Sequence, residues 1–129
     1  MALSKLLETD QSLALLTALA DNSFDSVLIT DTSKGGKIIY ANKAFQTLTG
    51  FSPKEVVGHT PRILQGPATD KKVIARLASA LQKGGKFEGK AINYKKDKTP
   101  FIMHWRGVPG KNKGAVVAWA AIQRAGTAL

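Results

Sequence analysis

Apolar residues at positions 3, 6, 7, 13, 15, 16 and 19 recur close to the helical period, and this stripe predicts an amphipathic helix over Leu3–Leu19. Ser26-Val27-Leu28-Ile29-Thr30 is a short β-rich run. Asp31 to Gly36 is turn material, and Lys37-Ile38-Ile39-Tyr40-Ala41 follows as a second strand, so the pair reads as a hairpin. Asn42 is placed to cap a helix over Lys43–Thr49, which Gly50 ends. Ser52-Pro53-Lys54-Glu55 combines a capping box with proline at the first helical position, and Gly58 stops that short helix. Asp70 to Gln82 is the most regular helical stretch, with Val73, Ile74, Leu77 and Leu81 on one face and Gly84-Gly85 beyond it. Three strands close the chain, over Lys86–Tyr94, Thr99–Val108 and Ala115–Gln123. The turns between them fall at Lys96-Asp97-Lys98 and Pro109-Gly110-Lys111-Asn112. The order predicts an α+β fold, an antiparallel sheet of five strands with helices on one face and an additional N-terminal helix. The expected organisation is a helix at 1–22 followed by one domain at 23–129.

Composition narrows the chemistry. The 129 residues suit one domain, and 43% hydrophobic against 22% charged residues is ordinary globular material. There is no cysteine, which removes disulfides, thiolate metal sites and a cysteine nucleophile together and leaves the cytoplasm as the default compartment. No run reaches the roughly 20 apolar residues of a membrane span. The formal charge of +10 attracts anions at low salt, but the cations are spread along the chain and cluster only at Lys95-Lys96-Asp97-Lys98. No specific nucleic-acid partner is expected from that distribution. His59 and His104 are the only histidines, too few to predict a metal or haem site. Neither a Ser/His/Asp set nor a Gly-rich phosphate loop is present, so no catalytic residue and no enzyme activity are expected.

The segment Gly58-His59-Thr60-Pro61-Arg62-Ile63-Leu64-Gln65-Gly66-Pro67-Ala68-Thr69-Asp70 resembles the signature of the LOV (light-oxygen-voltage) subfamily of PAS domains, Gly-Arg-Asn-Cys-Arg-Phe-Leu-Gln-Gly-Pro-x-Thr-Asp. Ile39 to Phe45, Leu48 to Phe51, Asn93 to Asp97, Phe101 to Pro109 and Ala121-Ile122-Gln123 resemble further LOV segments in the same order. The likeness runs from about Ser23 to Gln123. It implies a PAS fold and a flavin photosensor: FMN first, FAD as second choice. By resemblance, Asn93 and Gln123 meet the polar edge of the flavin ring, Gln65 lies near the ribityl chain and Arg62 meets the phosphate. The chemistry suits these roles, because side-chain amides carry both donors and acceptors and a guanidinium matches a phosphate.

Departures from the pattern are equally specific. The family's reactive cysteine falls on Pro61, so no thiol adduct with a flavin is available. The neighbouring Asn falls on Thr60, and the second ring-edge Asn on Met103. A phosphate-binding Arg falls on Ala78, with Arg76 close by. Trp105 stands where the family has an aliphatic or phenyl wall, and strand alternation puts Met103, Trp105 and Gly107 on one face. Two readings follow. In one, Trp105 stacks by a flavin in a sensor of blue light or redox state; in the other it fills the pocket of a ligand-free interaction module. In both, the N-terminal helix is expected either to form a homodimer contact or to fold back on the sheet's open face. The tail Arg124–Leu129 is too short for an effector, so an unidentified downstream protein, or a longer parent chain, is expected to read the signal.

Overall fold

The computed structural model describes residues 10–129. Helix α1 (Asp10–Asp21) precedes strands β1 (Ser26–Thr30) and β2 (Ile38–Ala41). Helices α2 (Lys43–Thr49) and α3 (Pro53–Val56), a 3-10 turn (Pro61–Leu64) and helix α4 (Lys71–Gln82) follow. Strands β3 (Phe87–Tyr94), β4 (Pro100–Asn112) and β5 (Ala115–Ala125) complete the chain. The strands form one antiparallel sheet in the order β2-β1-β5-β4-β3, so the first hairpin docks against the last strand. This is the expected fold. No helix among the described residues is long and apolar enough to cross a membrane.

The caps form as their sequences dictate. Ser52 and Glu55 make the reciprocal capping box of α3, and Asp70 caps α4 through the Lys72 N–H. Asn42 caps α2 and does more. Its Oδ1 accepts from Phe45 N (3.1 Å) and Val27 N (2.8 Å), while its Nδ2 donates to Ala20 O (2.6 Å) and Asp25 O (3.1 Å). One fully buried amide thus joins α1, β1 and α2.

The last hairpin corrects the sequence reading. Pro109-Gly110-Lys111-Asn112 is strand: Pro109 pairs with Trp119 and Gly110 with Ala118. The turn is Lys113-Gly114, both left-handed (φ 51° and 82°), between the paired Asn112 and Ala115. Proline is tolerated there because β3 pairs with β4 only as far as Gly107, so β4 is an edge beyond that point.

Leu28, Ile38, Ala91, Met103 and Trp105 point from the sheet into a core closed by Phe45, Val56, Leu64 and Val73 from the helical cover. Helix α1 takes no part in it. Leu13, Leu16 and Leu19 are 68%, 59% and 62% exposed, so the stripe does not lie on the open sheet face; Leu3, Leu6 and Leu7 lie outside the described residues. At its C-terminal end Ala20 meets Asn42 and the Tyr40 hydroxyl donates to Asp21. Burial first, and the Asp21 hydrogen bond second, push the Tyr40 phenol up from 10.0 to about 12. The fold favours the protonated phenol, so this tether is complete below pH 10.0 and is lost as pH rises towards 12. Ultraviolet titration should find one tyrosine ionising near 12, and Asp21→Asn should bring it part of the way back to 10.0; an unshifted Tyr40 would contradict the tether.

Candidate functional site

Strand alternation builds one wall of a partly open cavity between the sheet and the helical cover. Trp119, Ala121 and Gln123 of β5 share a face with Trp105 and Met103 of β4 and with Asn93 of β3. The opposite wall comes from Pro61, Leu64 and Gln65 around the 3-10 turn and from Ile74, Leu77 and Leu81 of α4. Its volume is about 100 Å³, and it is partly open to solvent. A methyl group added at Gly107 would make only ordinary contacts, 3.8 Å from Leu77 and 3.9 Å from Phe87, so this glycine leaves room on the cavity floor.

The segment carrying Gln65 is pinned to β3. A side chain on Gly66 would come within 2.3 Å of the Tyr94 ring, whose hydroxyl accepts from Ala68 N at 2.8 Å. Thr69 Oγ1 donates to Ile92 O (2.7 Å) and accepts from Gly66 N (3.0 Å). The run Gly66-Pro67-Ala68-Thr69 therefore has a positional reason. Pro61 opens the 3-10 turn, where its fixed φ and missing N–H are harmless.

The cavity is mostly apolar, its polar lining residues being Thr30, Gln65, Asn93 and Gln123. Asn93 and Gln123 are only 6% and 5% exposed. Asn93 Nδ2 donates to the Met103 sulfur at 3.2 Å, a weak acceptor, and Gln123 Oε1 accepts from Ser26 Oγ at 3.0 Å. Asn93 Oδ1 and Gln123 Nε2 have no protein hydrogen bond among the described residues. An amide acceptor and an amide donor facing a mostly apolar slot match a planar ring with a polar edge, and no fully buried side-chain nitrogen or oxygen among the described residues lacks a partner. No ionisable side chain lines the slot among the described residues, so it offers no general acid or base. The perturbed carboxylates lie elsewhere: Glu88 is held low by His104 first and Arg106 second, on the outer face of the sheet.

The structure brings Gln65, Asn93, Met103, Trp105 and Gln123 together on this cavity. It leaves Arg62 and Arg76 outside the lining. Both are exposed, Arg62 on the 3-10 turn and Arg76 on α4 with its guanidinium 5.9 Å from the Phe87 ring centre. Trp105 itself packs on Phe87, ring centres 5.6 Å apart and planes 39° apart. Sequence reasoning missed Trp119. Counting back by two from Gln123 along β5 would have put it on the cavity face.

A PAS domain family model matches residues 25–124. The LOV domain of the blue-light activated histidine kinase of Erythrobacter litoralis EL346 superposes with a TM-score of 0.75 at 32% identity, covering 78% of this chain and 94% of that one. The chain is a PAS domain of the LOV subfamily. Two curated relatives extend the likeness of this LOV domain. Phototropin-2 of Oryza sativa subsp. japonica is 50% identical over 64 residues, and the blue-light-activated histidine kinase of Brucella anthropi is 47% identical over 64 residues. Each match covers 50% of the LOV domain described here but only 7% and 13% of the respective relative.

Proposed function

We propose that this LOV domain binds a flavin, FMN in preference to FAD, in the cavity under α4 and responds to blue light or redox state without a thiol adduct. The observation that carries the reading is the pair of largely buried amides, Asn93 and Gln123, on the wall of a mostly apolar slot. In this reading they hold the polar edge of the ring. Met103 gives a soft contact where the family has an amide, and Trp105 lies against the ring. Gln65 serves the ribityl chain. Arg62, with Arg76 on the neighbouring helix, serves the phosphate from outside the slot. Once bound, the flavin supplies light absorption and redox chemistry, while Pro61 supplies no sulfur.

The test is FMN titration of the wild type against Asn93→Leu and Gln123→Leu. Each lost partner of a buried polar group costs on the order of 1–3 kcal/mol, so each variant should bind roughly ten- to a hundredfold more weakly. Equal affinities in all three proteins would contradict the amide assignment.

A second reading, a ligand-free dimerisation module, draws on the cavity's size. At about 100 Å³, with Trp105 and Trp119 on its wall, it is smaller than the roughly 300–1,000 Å³ usual for ligand sites. FMN therefore requires movement of a tryptophan or of the α4 cover.

In either reading α1 is the homodimer contact, because its exposed leucines form an apolar stripe away from the domain. The substitutions Leu13→Glu and Leu16→Glu should give a folded monomer by analytical ultracentrifugation. An unchanged sedimentation coefficient would contradict that role. The downstream partner is an unidentified protein or a further part of a longer chain.

A further inference from the structure

Along the chain the cations cluster only at Lys95-Lys96-Asp97-Lys98, but the fold gathers a larger group from separate connections. β1 reaches the level of Trp119 at Thr30, so the turn from β1 to β2 leaves the sheet at the end where the β4–β5 hairpin turns. β3 begins at the same end, with Phe87 opposite Gly107. The α4–β3 connection lies against the hairpin there: a methyl group at Gly84 would sit 3.7 Å from Val116 Cγ2, and Val116 pairs with Lys111. Lys34 and Lys37, Lys83 and Lys86, and Lys111 and Lys113 therefore share one end of the sheet. All are exposed, and none is in an ion pair among the described residues. The one carboxylate on these segments, Asp31, is engaged by its own turn, where Oδ1 accepts from Ser33 N (3.0 Å) and Lys37 N (2.9 Å). The β3–β4 turn at the opposite end has carboxylates close by: Lys96 pairs with Glu55, and Asp97 lies within the turn.

We propose that this lysine-bearing end of the sheet is a docking surface for an anionic phospholipid bilayer. Cations held together without counterions create a positive potential that draws an external anion. The residues between them favour a bilayer over a nucleic acid. Every cation here is lysine, and Trp119, the nearest indole, is half-buried on the cavity wall. The forked guanidinium contacts and open stacking faces of nucleic-acid sites are therefore missing among the described residues. The exposed apolar residues at this end are aliphatic instead. Val117, which the ladder skips between the Gly110–Ala118 and Lys111–Val116 pairs, is 56% exposed. Val57 is 50% exposed, and the bonds from Gly58 N to Ile38 O and from Ile38 N to His59 O hold it at the start of β2. Lysines that meet headgroups, around aliphatic side chains that enter the layer beneath, suit a charged plane laid over hydrocarbon. Association of this kind needs neither a membrane-spanning helix nor a bound flavin.

The test is co-sedimentation of the full chain with vesicles of phosphatidylcholine alone and of equimolar phosphatidylcholine and phosphatidylserine. The wild type should partition to the mixed vesicles only, and added salt should release it. A lysine beside an anionic surface contributes about fivefold in partition, so Lys111→Gln with Lys113→Gln should lower binding roughly twenty- to thirtyfold. Lys95→Gln with Lys98→Gln removes the same charge from the opposite end and should lower it by about twofold at most. Val57→Ser with Val117→Ser should weaken binding with the charge unchanged. All these sites are exposed, so the variants should stay folded by circular dichroism. The proposal is overturned if the wild type stays in the supernatant with both vesicles, if the two lysine pairs matter equally, or if the valine substitutions change nothing. It is equally overturned if loss of Lys111 and Lys113 abolishes binding of an RNA duplex but not of vesicles.

Discussion

Trp105→Leu is expected to raise the emission of bound flavin severalfold while leaving the protein yellow. Trp105 is 6% exposed, lies on the cavity wall and pairs across the sheet with Gln123. An indole beside an excited flavin is an electron donor in contact with an acceptor, and transfer between them competes with emission. Leucine keeps an apolar wall and removes the donor. The substitution also takes away the Phe87 contact and leaves space, so the protein without ligand should lose about 2–4 kcal/mol, as other large-to-small core changes do. Emission lifetimes and denaturation midpoints of both proteins check the two parts. A brightly emitting wild type that the substitution leaves unchanged would remove Trp105 from the ligand side.

Asn42→Ala should be the most damaging polar substitution in the domain. It deprives Val27 N and Phe45 N of their acceptor and Ala20 O and Asp25 O of a donor, all at a residue with no exposed surface. A lost cap alone costs about 1 kcal/mol, and each stranded buried group adds about 1–3 kcal/mol, so a loss of roughly 3 kcal/mol or more follows. Asn42→Ser, able to keep only the cap, should lose less. Chemical denaturation measures both, and a loss below about 1 kcal/mol for alanine would contradict the hub.

Much of this fold was legible because its signals are local. The caps at Asn42, Ser52 and Asp70 act within one helical turn, and the helices began where those residues stand. Asn93, Gln123 and Gln65 came from a family pattern, and alternation alone put Met103, Trp105 and Gly107 on one face. What was not legible is non-local. Pro109-Gly110 carries turn chemistry, but whether proline fits a strand depends on where the neighbouring strand stops. The stripe of α1 is visible in sequence, yet nothing in it says that the domain leaves those leucines uncovered. The second function of Asn42, holding the end of α1, joins segments 22 residues apart and has no signature. The size of the cavity depends on how two tryptophans pack, which spacing does not encode.

The visible absorption spectrum of the purified protein, recorded after FMN has been added and the excess removed, tests the central claim most directly. The account predicts a yellow protein carrying the blue absorption band of oxidised flavin, with no thiol-adduct spectrum after illumination. A colourless protein that retains no FMN would contradict it and leave the cavity to its tryptophans.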